Sequence, residues 1–100
     1  MSNELLRSNN YALLTFAATS HALKAEKLLK SRQADFLVIP TLREISTSCG
    51  LSIKIAPVNL LDYYNYLSGN KIHIEGTYQV VKEGKKNRVE QIQIHKQEES

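Results

Sequence analysis

A chain of 100 residues has room for one ordinary domain and not for two. With 42% apolar and 23% charged residues, little Gly or Pro and a net charge of +3, it has neither a disordered nor a fibrous composition. A single cysteine excludes an intrachain disulfide, and no apolar run approaches the roughly 20 residues needed to span a bilayer.

The opening ten residues are polar and carry no secretion-signal pattern. They read as a lead-in before one domain over 11–95, with 96–100 a disordered tail. The expected compartment is a reducing cytoplasm, where the lone thiol stays reduced. The basic residues form two groups: Lys24, Lys27, Lys30 and Arg32 along one segment, and Lys82, Lys85, Lys86 and Arg88 near one turn. The first reads as a solvated helix face, and neither has the density or interleaved aromatics of a nucleic-acid surface.

Tyr11 to Ala17 is an apolar run of strand formers and predicts β1, a central strand covered on both faces. Thr19-Ser20 supplies a helix N-cap signal. From there to about Ser31, Ala22, Ala25, Leu28 and Leu29 fall at helical spacing, which predicts α1. Asp35 to Ile39 predicts β2, ended by Pro40. Leu51 to Ile55 alternates with period two and predicts a half-buried β3. Pro57 opens α2, whose stripe is Leu60, Leu61, Tyr64 and Leu67, and Ser68-Gly69-Asn70 stops it. Ile72 to Val81 predicts β4, bent or bulged near Gly76. A turn over Lys82 to Asn87 leads into β5, Arg88 to Ile94.

The order β1-α1-β2-β3-α2-β4 predicts an α+β, ferredoxin-like βαββαβ domain. Its antiparallel sheet has order 4-1-3-2, with helices on one face and an additional C-terminal strand beside β4. That topology brings the start of α1, the β2–β3 connection and the α2–β4 turn to one rim. The β2–β3 connection, Thr41 to Gly50, is about ten residues long, where hairpin loops usually take two to five. It is rich in hydroxyls and carries Arg43, Ser46, Ser48, Cys49 and Gly50. Cations and a helix N-terminus stabilise a thiolate, the reactive form of cysteine. Arg43, His21, the start of α1 at Thr19 and the Ser46 and Ser48 hydroxyls are the groups placed to do so. Gly50 would allow close backbone approach or a dihedral that other residues resist. The alternative is that Cys49 is a small buried hydrophobe where β3 begins.

The segments Thr19 to Lys30, Ile39 to Leu51 with its Ser-Cys-Gly, and Glu75-Gly-Thr-Tyr78 resemble the small bacterial selenium/sulfur carrier protein-like domains. The resemblance covers about residues 11–80 and says nothing of the lead-in or β5. It implies that Cys49 is a carrier thiol, holding sulfur or selenium as a persulfide or selenosulfide and passing it on. Arg43, Ser48 and Gly50 would belong to its loop and His21 to the start of α1. A carrier of this kind is an accessory protein rather than a stand-alone enzyme. It would need a donor and an acceptor protein, a solvent-open sulfur, and a docking surface among Tyr63, Tyr64 and Tyr66 or on the basic β4–β5 turn.

No cofactor is expected. His73 and His95 have no metal-like spacing to Cys49, so no metal site is expected either. Neither a membrane nor a nucleic acid is the expected partner. The edge strands β2 and β5 offer surfaces for a homodimer. The competing function is a non-catalytic ligand- or protein-binding adaptor with a structural Cys49.

Overall fold

The computed structural model describes residue 5 and residues 8–45 and 49–94. Five strands, β1 (Asn10–Phe16), β2 (Leu37–Pro40), β3 (Leu51–Ile55), β4 (Ile74–Glu83) and β5 (Lys86–Gln91), form one antiparallel sheet. Two helices, α1 (Thr19–Ser31) and α2 (Leu60–Gly69), complete an α+β architecture. The strand order is β2-β3-β1-β4-β5, which read from the other edge is 5-4-1-3-2.

β1 lies between β3 and β4, and every residue from Tyr11 to Phe16 is buried. Alternation divides the sheet residues between two faces. Ala12, Leu14, Phe16, Ile53 and Ile55 face the helices and meet Ala22, Ala25 and Leu29 of α1 and Leu60, Tyr63 and Leu67 of α2. Tyr11, Leu13 and Val80 form a smaller cluster on the opposite face with Ile45.

Local differences from the sequence expectations have identifiable causes. Asn10 belongs to β1, and Lys82 N–H donates to the Asn9 carbonyl (2.8 Å), so the ladder reaches into the expected lead-in. α2 begins after a 3-10 turn at Pro57–Asn59. Its core residues are Leu60, Tyr63 and Leu67, while Leu61 is exposed. Tyr63 is accommodated because Asp35 N–H donates to its hydroxyl (3.1 Å). The Tyr66 hydroxyl donates to the Leu28 carbonyl (3.2 Å), and the Arg32 guanidinium stacks on the Tyr66 ring at 4.6 Å while pairing with Asp62 at 3.1 Å. None of Tyr63, Tyr64 and Tyr66 is therefore fully exposed, against the expectation of an open tyrosine surface.

The bulge near Gly76 is present. Thr15 pairs with Gly76 and Phe16 with Ile74, so Glu75 is the extra residue. A Cβ at Gly76 would come within 2.9 Å of the end of the Tyr78 side chain, which would have to shift to admit it. The β4–β5 turn is tighter than expected: Glu83 pairs with Lys86 across Gly84-Lys85, with Gly84 at φ +63°. β5 consequently starts and ends earlier than Arg88 to Ile94. Ile92 and Ile94 still pack against the helix-side core. The expected tail lies outside the described residues.

Candidate functional site

The β2–β3 connection is fastened at its neck by Thr41. Its N–H donates to the Gly50 carbonyl (3.0 Å) and its hydroxyl to the Cys49 carbonyl (3.1 Å). Thr41 Oγ1 also lies 2.7 Å from Ser52 Oγ. A hydroxyl has one proton, so Ser52 is the donor in that pair. Leu42 and Ile45 lie against the open face of the sheet, with Tyr11, Leu13 and Val80. Cys49 lies on the other face, in the helix-side core. The described residues on either side of 46–48, Ile45 and Cys49, therefore lie on opposite faces of the sheet.

Cys49 is 2% exposed, which overturns the expectation of a solvent-open sulfur. Side-chain parity explains the burial: Cys49, Leu51, Ile53 and Ile55 all belong to the helix-side core, two residues apart. Leu51 N–H donates to Cys49 Sγ (3.4 Å), and the thiol in turn reaches the Leu51 carbonyl (3.4 Å). Thr19 Oγ1 stands 3.9 Å from Sγ. Thr19 is the first residue of α1, so the sulfur does lie at the leading turn of the first helix. The expected hydroxyl cap is absent: the N-cap is Ala18, with no side-chain capping bond. The hydroxyl of Thr19 is aimed at the sulfur instead. In a thiolate, Leu51 N–H and the Thr19 hydroxyl would both serve as donors to Sγ.

The other expected site residues are placed as follows. His73 N–H donates to His21 Nδ1 (3.2 Å), so the neutral His21 ring carries its proton on Nε2. The two imidazoles meet edge-on at 6.4 Å. His21 thus joins the start of α1 to the start of β4. Arg43 is exposed, on the stretch held against the open face. Gly50 has no positive φ, and a Cβ there would meet nothing within 4 Å, so neither reason offered for a glycine applies. Ser46 and Ser48 lie outside the described residues. Among the described residues no three His, Cys, Asp or Glu side chains gather as a metal site would require.

Two features went unread in the sequence. Thr41 is one, although pairing of Pro40 with Leu51 places it at the neck. Lys54 is the other. β3 is buried on both faces rather than half-buried: Ile53 and Ile55 lie in the helix-side core, and Ser52 and Lys54 on the other face are buried as well. Lys54 is 8% exposed, with its ammonium 4.2 Å from the centre of the Tyr11 ring. Burial, and then the charge of Lys82, push its pKa below the ordinary lysine value. Burial, and then Glu44, push the Tyr11 hydroxyl above the ordinary tyrosine value.

These features define a small α+β domain with one sheltered thiol where a strand and a helix begin. The chain belongs to the family described as "Putative Se/S carrier protein-like", whose model matches residues 10–79. The match includes Cys49 and stops within β4. No curated protein and no solved structure matches the chain. No helix among the described residues is long and apolar enough to cross a membrane.

Proposed function

We propose that this chain is a chalcogen carrier, acting between a donor and an acceptor protein in a reducing cytoplasm. Cys49 is the attachment point. The Cys49 thiolate attacks the outer sulfur of a donor persulfide, the donor's S–S bond breaks, and the donor thiolate leaves with the bonding electrons. Cys49 then carries a persulfide, or a selenosulfide where selenium is the cargo. An acceptor nucleophile attacks the outer atom and releases the Cys49 thiolate, so the protein undergoes no net redox change.

One observation carries this reading: the family match encloses the sole cysteine of the chain, and that cysteine sits at the first turn of α1 with Leu51 N–H and the Thr19 hydroxyl around its sulfur. Thr19 and Leu51 position the sulfur, Thr41 fixes the peptide that bears it, and His21 anchors the helix start. Arg43, Ser46, Ser48 and Gly50 belong to the loop that donor and acceptor would meet.

The burial of Cys49 favours a second reading, an adaptor module in which the cysteine only packs. Mass spectrometry separates the two after incubation with a persulfide-bearing cysteine desulfurase. The carrier gains one sulfur atom on Cys49 and loses it to an acceptor thiol. A Cys49 that stays unloaded where a known carrier loads refutes the carrier reading.

A further inference from the structure

The two edges of the sheet differ in how they are protected. β5 carries Lys86, Arg88 and Glu90, charges that discourage another strand from pairing with it. β2, on the other edge, is Leu37-Val38-Ile39-Pro40, without a charge or a bulge, and its first three residues are half-exposed. Such an edge invites strand pairing unless something covers it. Beside it runs a groove of about 540 Å³ between α1 and β2. Ala34, Phe36 and Val38 line its floor, and Glu26 and Lys30 stand on its helical wall. Those two residues are one helical turn apart, and neither is in an ion pair with any described residue.

We propose that a second copy of this chain covers this edge, pairing its β2 antiparallel to β2 about a two-fold axis normal to the sheet. The two five-stranded sheets become continuous, and both helical layers stay on one side. The strand suits itself as a partner: it is neutral and apolar, and Pro40, which has no N–H, limits pairing to the stretch before it. The two-fold axis also sets α1 antiparallel to its counterpart. Glu26 then approaches the partner's Lys30, and Lys30 approaches the partner's Glu26. This self-complementary charge pattern selects a second copy over an unrelated extended peptide. The contact lies at the small end of specific interfaces, so the dimer is weak and concentration-dependent. The Cys49 rim is left open to other proteins.

Sedimentation equilibrium over a concentration series tests the assignment. The wild-type chain dimerises reversibly. Lys30→Glu sets like charges against Glu26 at two symmetric places and weakens the dimer about tenfold, since each exposed pair is worth up to about 1 kcal/mol. The double swap Glu26→Lys with Lys30→Glu restores the wild-type dissociation constant. Both sites are on the outer face of a helix, and far-UV circular dichroism should be unchanged. A chain that is monomeric at every concentration overturns the proposal. So does a dimer indifferent to Lys30→Glu, or one that the double swap fails to restore.

Discussion

Thr41 holds the backbone that carries the thiol. Its hydroxyl holds the Cys49 carbonyl, and it accepts from Ser52, whose side chain is fully buried. Thr41→Val keeps the volume, strips both bonds and leaves the Ser52 hydroxyl without that partner. The expected cost is about 1–3 kcal/mol in urea denaturation, with faster alkylation of Cys49 in the folded protein. Unchanged stability and unchanged alkylation would refute a positioning role. The burial of Cys49 was itself legible, because the alternation that places Ile53 and Ile55 on the core side runs back through Leu51 to position 49. What the sequence could not supply is the partner of each polar group. The hydroxyl of Thr19 reads as a helix cap, and only packing reveals that it turns to a sulfur 30 positions away.

At the scale of elements, long periodic segments were readable, and so were the ends of α1 and β3, whereas the bounds of β2, β4 and β5 shifted by about two residues or more. β1, α1, β3 and the bulge in β4 lie where apolar spacing and glycine put them. The phase of α2 did not follow, because Tyr63 and Tyr64 fit a helical stripe equally well and a hydrogen bond from Asp35 selects Tyr63. The helices stop where the sequence placed their ends, at Ser31 and Gly69, but the residues that cap them were not legible. Both helices end in the same motif, in which Ala34 and Ile72 N–H reach back to the Leu29 and Leu67 carbonyls. The left-handed residue is Gln33 in one case and Lys71 in the other, at φ 57° and 65°. Glycine is placed two residues too early, at Gly69 inside α2. Lys71→Gly should therefore stabilise the protein by about 0.5–1 kcal/mol, because a left-handed dihedral costs an L-residue more than glycine loses in chain entropy. Gly69→Ala should add a similar amount, since a Cβ there meets nothing within 4 Å. Thermal melts read both, and a fall in melting temperature for either would contradict the end geometry.

At the scale of the whole molecule, strand direction separates chemistry from charge. β1 ends and β4 begins at the rim that holds Thr19 and Cys49, so the basic β4–β5 turn lies at the opposite rim. Proteins that exchange a chalcogen with Cys49 would meet the start of α1, the end of β2 and His21, not the lysine-rich turn. Element order was enough to foresee this convergence, since topology alone fixes which loops share a rim. It was not enough to foresee that Leu42 and Ile45 pack on the second face of the sheet. That depends on Leu42 and Ile45 finding Tyr11, Leu13 and Val80. The sheltered sulfur makes local opening the step on which a carrier depends. The decisive measurement is the opening free energy of Cys49, obtained from its alkylation rate in the folded protein, set beside the free energy of global unfolding. The carrier account predicts an opening that costs far less than unfolding and is cheaper still in Thr41→Val. Alkylation that proceeds only through global unfolding would contradict it.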